Sequence, residues 1–284
     1  MNFIKKAVIK SIVNYKLTLG LFLCAVVVLF GVVGPAFYDI EKQEVGAGMP
    51  MLEPSSEYPL GTDAQGRDVL AWVIAGTPAT LRIGLLAGIL GVVIGAVVAF
   101  VAGFYGGWVD TILRILTDVL ITVPGILILV IAASMLEVVT IELMAIIIAS
   151  LAWMGPARVI RSQVLVLREK LFVDVSRLSG EPDWKIVFLE VAPNLMPFLL
   201  ASFVSAVAGA LLASIGLEVL GLGPAHLATL GQIIFWVDFY NALLRGAWWW
   251  WGPPILVVII LFVGLFLASV ALDEIANPRL KTRV

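Results

Sequence analysis

Acidic and basic side chains that could do chemistry are few within the long apolar segments of this 284-residue sequence. Asp118 is the acid that we expect deepest in such a segment, and Arg114 lies four residues before it, so that a helix places both on one face. An acid at that depth can bind and release protons or cations, which is the chemistry of an ion-driven carrier. A structural ion pair near one end of the third segment is the interpretation that we favour.

Motifs for hydrolysis are absent from the sequence. It contains no Gly-Lys dipeptide, and therefore no GxxxxGK[ST] phosphate-binding loop, and it has neither HExxH nor GxSxG. Its one histidine and one cysteine, His226 and Cys24, can form neither a zinc site nor a disulfide. We therefore predict a chain that is not an enzyme, that binds no metal or cofactor itself, and that has no nucleic-acid partner.

A polar cassette interrupts the apolar sequence at residues 172–194, which read FVDVSRLSGEPDWKIVFLEVAPN. Gly180 is followed by Glu181 and Pro182, and this order is typical of a helix that stops and restarts, because proline and acids suit a first helical turn. The cassette predicts a short helix, a turn and a second helix that leads into the next apolar segment. Such an arrangement can bind a partner and carry the partner's movement into the membrane.

A second polar cluster follows the first apolar segment. Two glycines with neighbouring polar residues predict a compact turn, and the adjacent Arg67 and Asp68 could fix this turn by charge-assisted hydrogen bonds. We expect a folded cap, which could serve either as a docking surface or as a plug that stabilises the helices. The residues concerned are Gly61, Thr62, Asp63, Gly66, Arg67 and Asp68.

The elements that must position these residues are membrane-spanning helices. Hydrophobic residues make up 61% of the sequence, charged residues only 13%, and the mean hydropathy is +1.08, whereas about 25% of the residues of a soluble domain are charged. A helix needs roughly 20 apolar residues to cross a bilayer. We predict an all-α polytopic membrane protein with six transmembrane helices, at residues 17–37, 83–109, 119–136, 143–157, 191–217 and 246–272.

Basic residues predict the orientation, because loops rich in lysine and arginine stay in the cytoplasm. They cluster before the first segment (Lys5, Lys6, Lys10, Lys16), between the fourth and fifth (Arg158, Arg161, Arg168, Lys170, Arg177, Lys185), and in the tail (Arg279, Lys281, Arg283). Both termini and the polar cassette are thus expected inside. We predict a cytoplasmic segment at 1–16, the first span at 17–37, an extracellular cap segment at 38–78, a core at 79–276 with spans 2–6 and a cytoplasmic loop at about 170–190, and a cytoplasmic tail at 277–284.

Small and aromatic residues give two further expectations. Glycines in the second segment recur at spacings that let helix backbones approach closely, so we expect them to pack in the bundle. Four consecutive tryptophans are typical of the aromatic belt at a membrane surface. The residues are Gly84, Gly88, Gly91, Gly95 and Gly103, and Trp248, Trp249, Trp250 and Trp251.

The polar cassette resembles the EAA loop of ABC importer permeases, which commonly reads EAA, three residues, Gly, and later His-x-Leu-Pro-Asn. Asp174, Val175 and Ser176 stand in place of EAA, and Gly180 matches the glycine. Further along, Glu190 replaces the histidine and Ala192 the leucine, and Pro193 and Asn194 match the end of the motif.

Other stretches narrow the resemblance to the oligopeptide, dipeptide and nickel branch, and to the second permease of the pair. The stretch YPLGTDAQGRDVLAWVIAGTPATL, at residues 58–81, is similar to that branch's His-Pro-Leu-Gly-Thr-Asp-x-x-Gly-Arg-Asp segment. Arg114, Asp118 and Pro124 fit its third span. The resemblance extends from about residue 58 to 280.

The resemblance implies an ATP-driven importer of the prokaryotic cytoplasmic membrane. It implies a second permease, an extracellular solute-binding protein near the cap, and two ATPase subunits, which would bind ATP and Mg. Di- or oligopeptides are the implied solutes, oligosaccharides or nickel are alternatives, and an ion-coupled secondary carrier is the alternative of a different class. The implied ATPase-coupling residues are Asp174, Val175, Ser176, Arg177, Gly180, Glu181, Asp183, Pro193 and Asn194.

Overall fold

The structure, a computed structural model, describes residues 15–276. The predictions for the two terminal segments concern residues that lie outside this range, among them Lys5, Lys6, Lys10, Arg279, Lys281 and Arg283. Within residues 15–276 the regular secondary structure is helical, without strands. The α-helices of four or more residues are α1 (Tyr15–Phe37), α2 (Val69–Tyr105), α3 (Gly107–Thr122), α4 (Gly125–Ser134), α5 (Ile141–Ala152), α6 (Met154–Arg168), α7 (Leu171–Leu178), α8 (Asp183–Ile186), α9 (Met196–Val219), α10 (Leu230–Phe239) and α11 (Trp248–Ala276). Other short helical turns lie at Ile40–Gln43, Val187–Val191 and Ala192–Asn194.

The helices agree with the predicted membrane-spanning class. Four of them, α1, α2, α9 and α11, are each long and apolar enough to cross a membrane. Two bent pairs meet the same criteria together, α3 with α4 at 79° and α5 with α6 at 42°. The prediction of an all-α polytopic membrane protein is confirmed, and six spans result when each bent pair counts as one crossing.

Proline accounts for both bends. Val123 has extended backbone angles (φ −79°, ψ 130°), because the ring of Pro124 disfavours a helical conformation in the residue before it. Pro156 lies in the first turn of α6, where it has no N–H to donate to the carbonyl of Ala152, the last residue of α5. The third and fourth spans are therefore each divided into two helices.

Helix α2 lies at the centre of the bundle, and its glycines make this possible. A side chain at Gly84 or Gly88 would meet Leu211 or Val207 of α9, and one at Gly91 would meet Ala152. Gly95 and Gly103 face α6 in the same way. The expected packing role of these glycines is confirmed, and their neighbours belong to this chain.

The bundle has two distinct ends. Lys16 at the start of α1 forms an ion pair with Glu274 near the end of α11, so these two ends lie together, at what we call the inner end. Residues 38–68, which we call the cap, lie at the opposite end, the cap end.

Helix α2 begins at Val69, earlier than the predicted segment at 83, because the Asp68 carboxylate accepts hydrogen bonds from the N–H groups of Leu70 (2.8 Å) and Ala71 (3.1 Å). Residues 69–78, which we assigned to the cap segment, are thus helical.

Candidate functional site

Residues 171–194, which we call the inner segment, form a helix, a turn and a second short helix between the fourth and fifth spans. The turn depends on Gly180, whose φ of +79° is in the left-handed region that favours glycine. The N–H of Gly180 donates to the carbonyl of Arg177 (3.0 Å), and that of Glu181 donates to the carbonyl of Ser176 (3.1 Å). These bonds end α7, and Pro182 then starts α8.

One face of the inner segment is anchored in the bundle. Its buried apolar side chains pack in a single cluster with residues of α2 and α6, so the segment is tied to the second span as well as to the fourth span that precedes it. Arg177 adds a contact with α2, because its guanidinium lies 5.0 Å from the centre of the Phe104 ring. The cluster includes Val173, Ile186, Val187 and Val191 of the segment, Ala99 and Phe104 of α2, and Ile160 and Val164 of α6.

The opposite face of the inner segment is exposed and apolar. Leu171, Val175 and Leu178 follow one another at helical spacing along α7, and Leu178 is 88% exposed. Trp184 of α8 is exposed as well. Several large apolar side chains exposed within one short segment are typical of a protein–protein contact.

Hydrogen bonds fix the shape of the inner segment. The hydroxyl of Ser176 donates to the carboxylate of Glu190 (2.5 Å), and the side-chain amide of Asn194 donates to the backbone carbonyl of Glu190 (2.7 Å). Lys185 donates to Glu181 one helical turn earlier (2.7 Å). The structure thus brings most of the sequence-predicted residues of this segment into one folded unit, in which Asp174, Asp183 and Pro193 lie exposed.

The cap is folded through its buried polar residues. Thr62 donates to the carbonyl of Met49 (2.6 Å), and its hydroxyl accepts from the N–H of Leu52 (2.8 Å). Asp63 accepts from the N–H groups of Gln65 (2.7 Å) and Arg67 (2.8 Å). Two glycines, Gly61 and Gly66, have positive φ at the turns. Burial raises the pKa of the Asp63 carboxyl, and these backbone hydrogen bonds oppose the increase.

The predicted role of Arg67 within the cap is wrong in its detail. Its guanidinium does not hydrogen-bond to Asp68 but stacks 4.3 Å from the Trp72 ring centre, with Trp236 at 5.7 Å. Asp68 instead caps α2 and accepts from the Tyr38 hydroxyl (2.5 Å). The aromatic environment determines this arrangement, because a planar guanidinium stacks well on an indole ring.

Two of the four tryptophans, Trp249 and Trp250, differ from the expected aromatic belt, whereas Trp248 is exposed. Trp249 and Trp250 are buried in a cluster with Val69 and Trp72 of α2, and the Trp249 N–H donates to the carbonyl of Thr62 (3.3 Å). The cap covers these rings, so they form part of the core at the cap end.

The third-span pair has different partners from those that the spacing predicts. Asp118 accepts from Arg158 of α6 (2.7 Å) rather than from Arg114, and Asp110 forms a two-point ion pair with Arg161, also of α6. The spacing correctly places Arg114 and Asp118 on one helix face. The ion-pair partner of Asp118, however, comes from the neighbouring helix α6, and a local sequence pattern cannot show this contact.

A cavity of about 660 Å³ opens between α4, α6 and α9. Its wall is mainly small and apolar, and a side chain at Gly155 or Gly209 would meet no atom within 4 Å. Asp273 of α11 contributes the one ionisable group among the residues that line this cavity. A second cavity of about 230 Å³ lies between α3 and α6 and is lined by Arg114, Asp118 and Arg158, among others.

Glu218 is a buried carboxylate that sequence reasoning missed. At the end of α9 it accepts from the hydroxyls of Ser214 (2.6 Å) and Thr229 (2.5 Å) and is fully buried. It lies at the start of α10, where the helix dipole favours a negative charge. The predicted segment ended at 217 because the next residue is charged. The sequence did contain one signal for the helix start beside Glu218. This is the capping pattern Thr229-Leu-Gly-Gln232, in which the N–H of Gln232 donates to the Thr229 hydroxyl (3.1 Å).

Comparisons with known proteins agree with this architecture. Residues 91–282 match the family described as "Binding-protein-dependent transport system inner membrane component". A protein of Brucella suis biovar 1 (strain 1330), provisionally named a peptide transport system permease protein, is 32% identical over 93% of this chain and 88% of its own length. The oligopeptide transport system permease protein OppC of Bacillus subtilis (strain 168) is 29% identical over 98% of this chain and 90% of its own length.

A solved structure has the same fold. It is described as "Inward facing conformations of the MetNI methionine ABC transporter: CY5 SeMet soak crystal form", and the match has a TM-score of 0.56 and 19% identity. It covers 75% of this chain and 97% of the other, and at this identity it supports the fold alone. From the family match, the long relatives and the membrane helices together, this multi-pass membrane chain belongs to the inner membrane components of binding-protein-dependent transport systems.

Proposed function

We propose that this chain is one of two permease subunits of an ATP-driven importer that moves di- and oligopeptides across the cytoplasmic membrane of a prokaryote. The family membership and the peptide-transport names of its relatives support this proposal. The chain itself has no catalytic role in it. Two ATPase subunits bind ATP and Mg, an extracellular protein delivers the solute near the cap, and both termini lie in the cytoplasm.

The two-faced inner segment is the observation that carries the proposal. Its buried face packs against α2 and α6, whereas its exposed apolar face, with Leu178 at the tip, has no cover from the described part of the chain. The inner segment, located between the fourth and fifth spans, has what an ATPase subunit needs: a surface to bind and a fixed connection to the helices.

Movement of the ATPase subunits then acts on the bundle through this connection. When the pair closes on ATP, it displaces the inner segment, and the cluster around Val173 transfers the displacement to α2 and α6. The passage changes between an outward-open and an inward-open state, which are two populations of one assembly. ATP shifts the balance only because the ATPase pair binds the two states with different affinities.

The docking role is tested by Leu178→Asp, with Leu244→Asp as a matched control. The two leucines are 88% and 87% exposed, and Leu244 lies in the connection between α10 and α11 at the cap end. A charge on the docking face should reduce co-purification of the ATPase subunits about tenfold or more, as expected for a residue in the centre of an interface. Leu244→Asp should retain them. Equal retention by both variants would contradict the docking role.

The solute class is tested separately, with the complete importer reconstituted in lipid vesicles. We expect ATP-dependent uptake of peptides in the presence of the binding protein, and none by this chain alone. Uptake of oligosaccharides or nickel instead would assign another solute to the same machinery. Uptake by the chain alone that follows an ion gradient would replace the proposal by a secondary carrier.

A further inference from the structure

The large cavity lies between the two helices that the inner segment connects. The inner segment follows α6 and leads into α9, and both helices form walls of the cavity of about 660 Å³. A displacement of the inner segment therefore acts directly on the walls of this cavity. Its volume is in the range of sites that bind small molecules. These features suit a part of the passage of the proposed importer.

The α9 wall of the cavity presents a face of small residues. Ser202, Ser205, Ala206, Gly209 and Ala213 line the cavity at helical spacing. The face is about 16 Å long from the first to the last of them, at a rise of 1.5 Å per residue. Because α9 starts at the inner segment, Ser202 marks the end of the cavity that is nearer the inner end.

Asp273 of α11 lies at this same end of the cavity. Helices α9 and α11 run in opposite directions, and the hydroxyls of Ser205 and Ser269 are hydrogen-bonded across them (2.8 Å). About one helical turn nearer the inner end, Asp273 follows Ser269 on α11 and Ser202 precedes Ser205 on α9. Both Asp273 and Ser202 line the cavity. A carboxylate and a hydroxyl thus border the inner end of an otherwise mainly apolar space.

Neither of these two groups is satisfied by the described part of the chain. Asp273 is exposed and forms no hydrogen bond or ion pair with any residue in the range 15–276, and the same holds for the hydroxyl of Ser202. The adjacent Glu274 pairs with Lys16 of α1 instead. A carboxylate beside an apolar wall attracts a cation. An ammonium group has three N–H donors, so it can use the carboxylate and the hydroxyl oxygen together.

We propose that Asp273 and Ser202 bind the protonated α-amino group of a peptide at the inner end of the cavity. This inference rests on the proposed function, because a peptide with a free N terminus carries an ammonium group near neutral pH and a neutral oligosaccharide does not. Asp273 is the one ionisable residue among those that line the cavity. Peptides with different side chains therefore meet no other fixed charge there, and the N terminus is the feature that they share.

The experiment measures directly whether a peptide occupies the cavity. Cys24→Ala removes the one thiol of the chain, and Gly209→Cys places a new thiol in the cavity wall, where a side chain meets no atom within 4 Å. The chain is assembled in detergent with the second permease and the ATPase subunits, without ATP and without the binding protein. The rate at which a maleimide labels this chain is followed by gel electrophoresis. One short peptide with a free N terminus is compared with the same peptide after N-acetylation, which removes the charge.

We expect the free peptide to protect the thiol at about tenfold lower concentration than the acetylated one, the effect of one hydrogen bond to a charged group. Asp273→Asn should abolish this difference, and Asp273→Glu should retain most of it. Asp238→Asn is the control, because it changes an exposed aspartate of α10 that does not line the cavity, and it should retain the full difference.

Equal protection by the two peptides with Asp273 in place, or a difference that persists in Asp273→Asn, would overturn the inference. The first of these comparisons changes nothing at Asp273, so it decides even if Asp273→Asn does not assemble. A lack of protection by both peptides, while the complete importer still takes up peptide, would place the cavity off the passage and overturn the inference alone. A complete importer that takes up no peptide would instead overturn the proposed function.

Discussion

Glu218 shows what a single buried charge requires in this chain. Its carboxylate has two hydroxyl donors and the start of α10 beside it, and Gly231 leaves room for it, since a side chain there would meet the Glu218 side chain. The acid thereby joins the end of α9 to α10, and we assign it a structural role.

Glu218→Ala should therefore destabilise the protein. The change removes the acceptor of two buried hydroxyls, and each unpaired buried group costs about 1–3 kcal/mol. We expect a lower midpoint of thermal unfolding in detergent, measured at one fixed heating rate. Glu142→Ala breaks the exposed pair with Arg82, which is worth no more than about 1 kcal/mol, and should shift the midpoint little. Equal shifts would contradict the structural role.

Tyr38 gives the cap a pH dependence on the alkaline side. Burial raises the pKa of its phenol above the ordinary value of 10.0, and so does its hydrogen bond to Asp68. A raised pKa in the folded state means that this contribution to stability is complete below the ordinary pKa and is lost as the pH rises above it.

We accordingly expect the wild-type cap to loosen above about pH 10, as followed by the fluorescence of the nearby buried tryptophans. Tyr38→Phe should reduce this pH-dependent part, because it lacks the ionisable group, and should be slightly less stable at neutral pH. The exposed Tyr105 provides the control, since Tyr105→Phe should leave the alkaline transition as in the wild type. A transition unchanged in Tyr38→Phe would assign it to another group.

At the scale of elements, the turn at Gly180 determines how α7 and α8 are presented. A side chain at this position would meet no atom within 4 Å, so the requirement for glycine comes from the positive φ alone. Asparagine tolerates this conformation and β-branched residues do not.

Gly180→Asn should thus retain the ATPase subunits and the coupled ATP hydrolysis, whereas Gly180→Val should lose a large part of both. The physical reason is that valine shifts the turn out of the left-handed region, at a cost of about 1–2 kcal/mol, and so reorients α7. Solute-stimulated ATP hydrolysis in lipid vesicles measures the effect. Equal activity of the two variants would show that the geometry of this turn is not needed.

The elements divide into those that sequence patterns predict and those that they do not. Length and apolarity suffice for the spans, because a lipid environment selects apolar helices and requires internal hydrogen bonding. The bends at Pro124 and Pro156 depend on which neighbouring groups satisfy the freed carbonyls, and the burial of Trp250 depends on a cap that folds over it. The partner of Asp118 comes from α6, 40 residues away, beyond the reach of any local spacing.

For the whole molecule, the proposed orientation predicts which surfaces face the cytoplasm. Leu178 and Leu244 lie on opposite ends of the bundle, separated by α9. The single cysteine, Cys24, is replaced by alanine to give a background without thiols. In this background Leu178→Cys and Leu244→Cys are expressed without the ATPase subunits, so that the inner segment is uncovered.

An impermeant maleimide should label Leu244→Cys in intact spheroplasts, and Leu178→Cys only after the membrane is permeabilised. The two leucines have nearly equal exposure, so a difference in labelling reports the side of the membrane rather than accessibility. Labelling of Leu178→Cys in intact spheroplasts would reverse the orientation.

Helix α2 connects the two regions on which the proposals depend. It starts directly at the cap, where Asp68 caps it, and near its other end Phe104 and Ala99 pack against the inner segment. Its 37 residues span about 55 Å, more than the thickness of the hydrocarbon core. As a mechanical linkage, it is a rod held at both ends, with one softer point at Pro78 near the cap. We expect this helix to transmit displacements in both directions. A force on the cap would then displace the inner segment before any solute has moved.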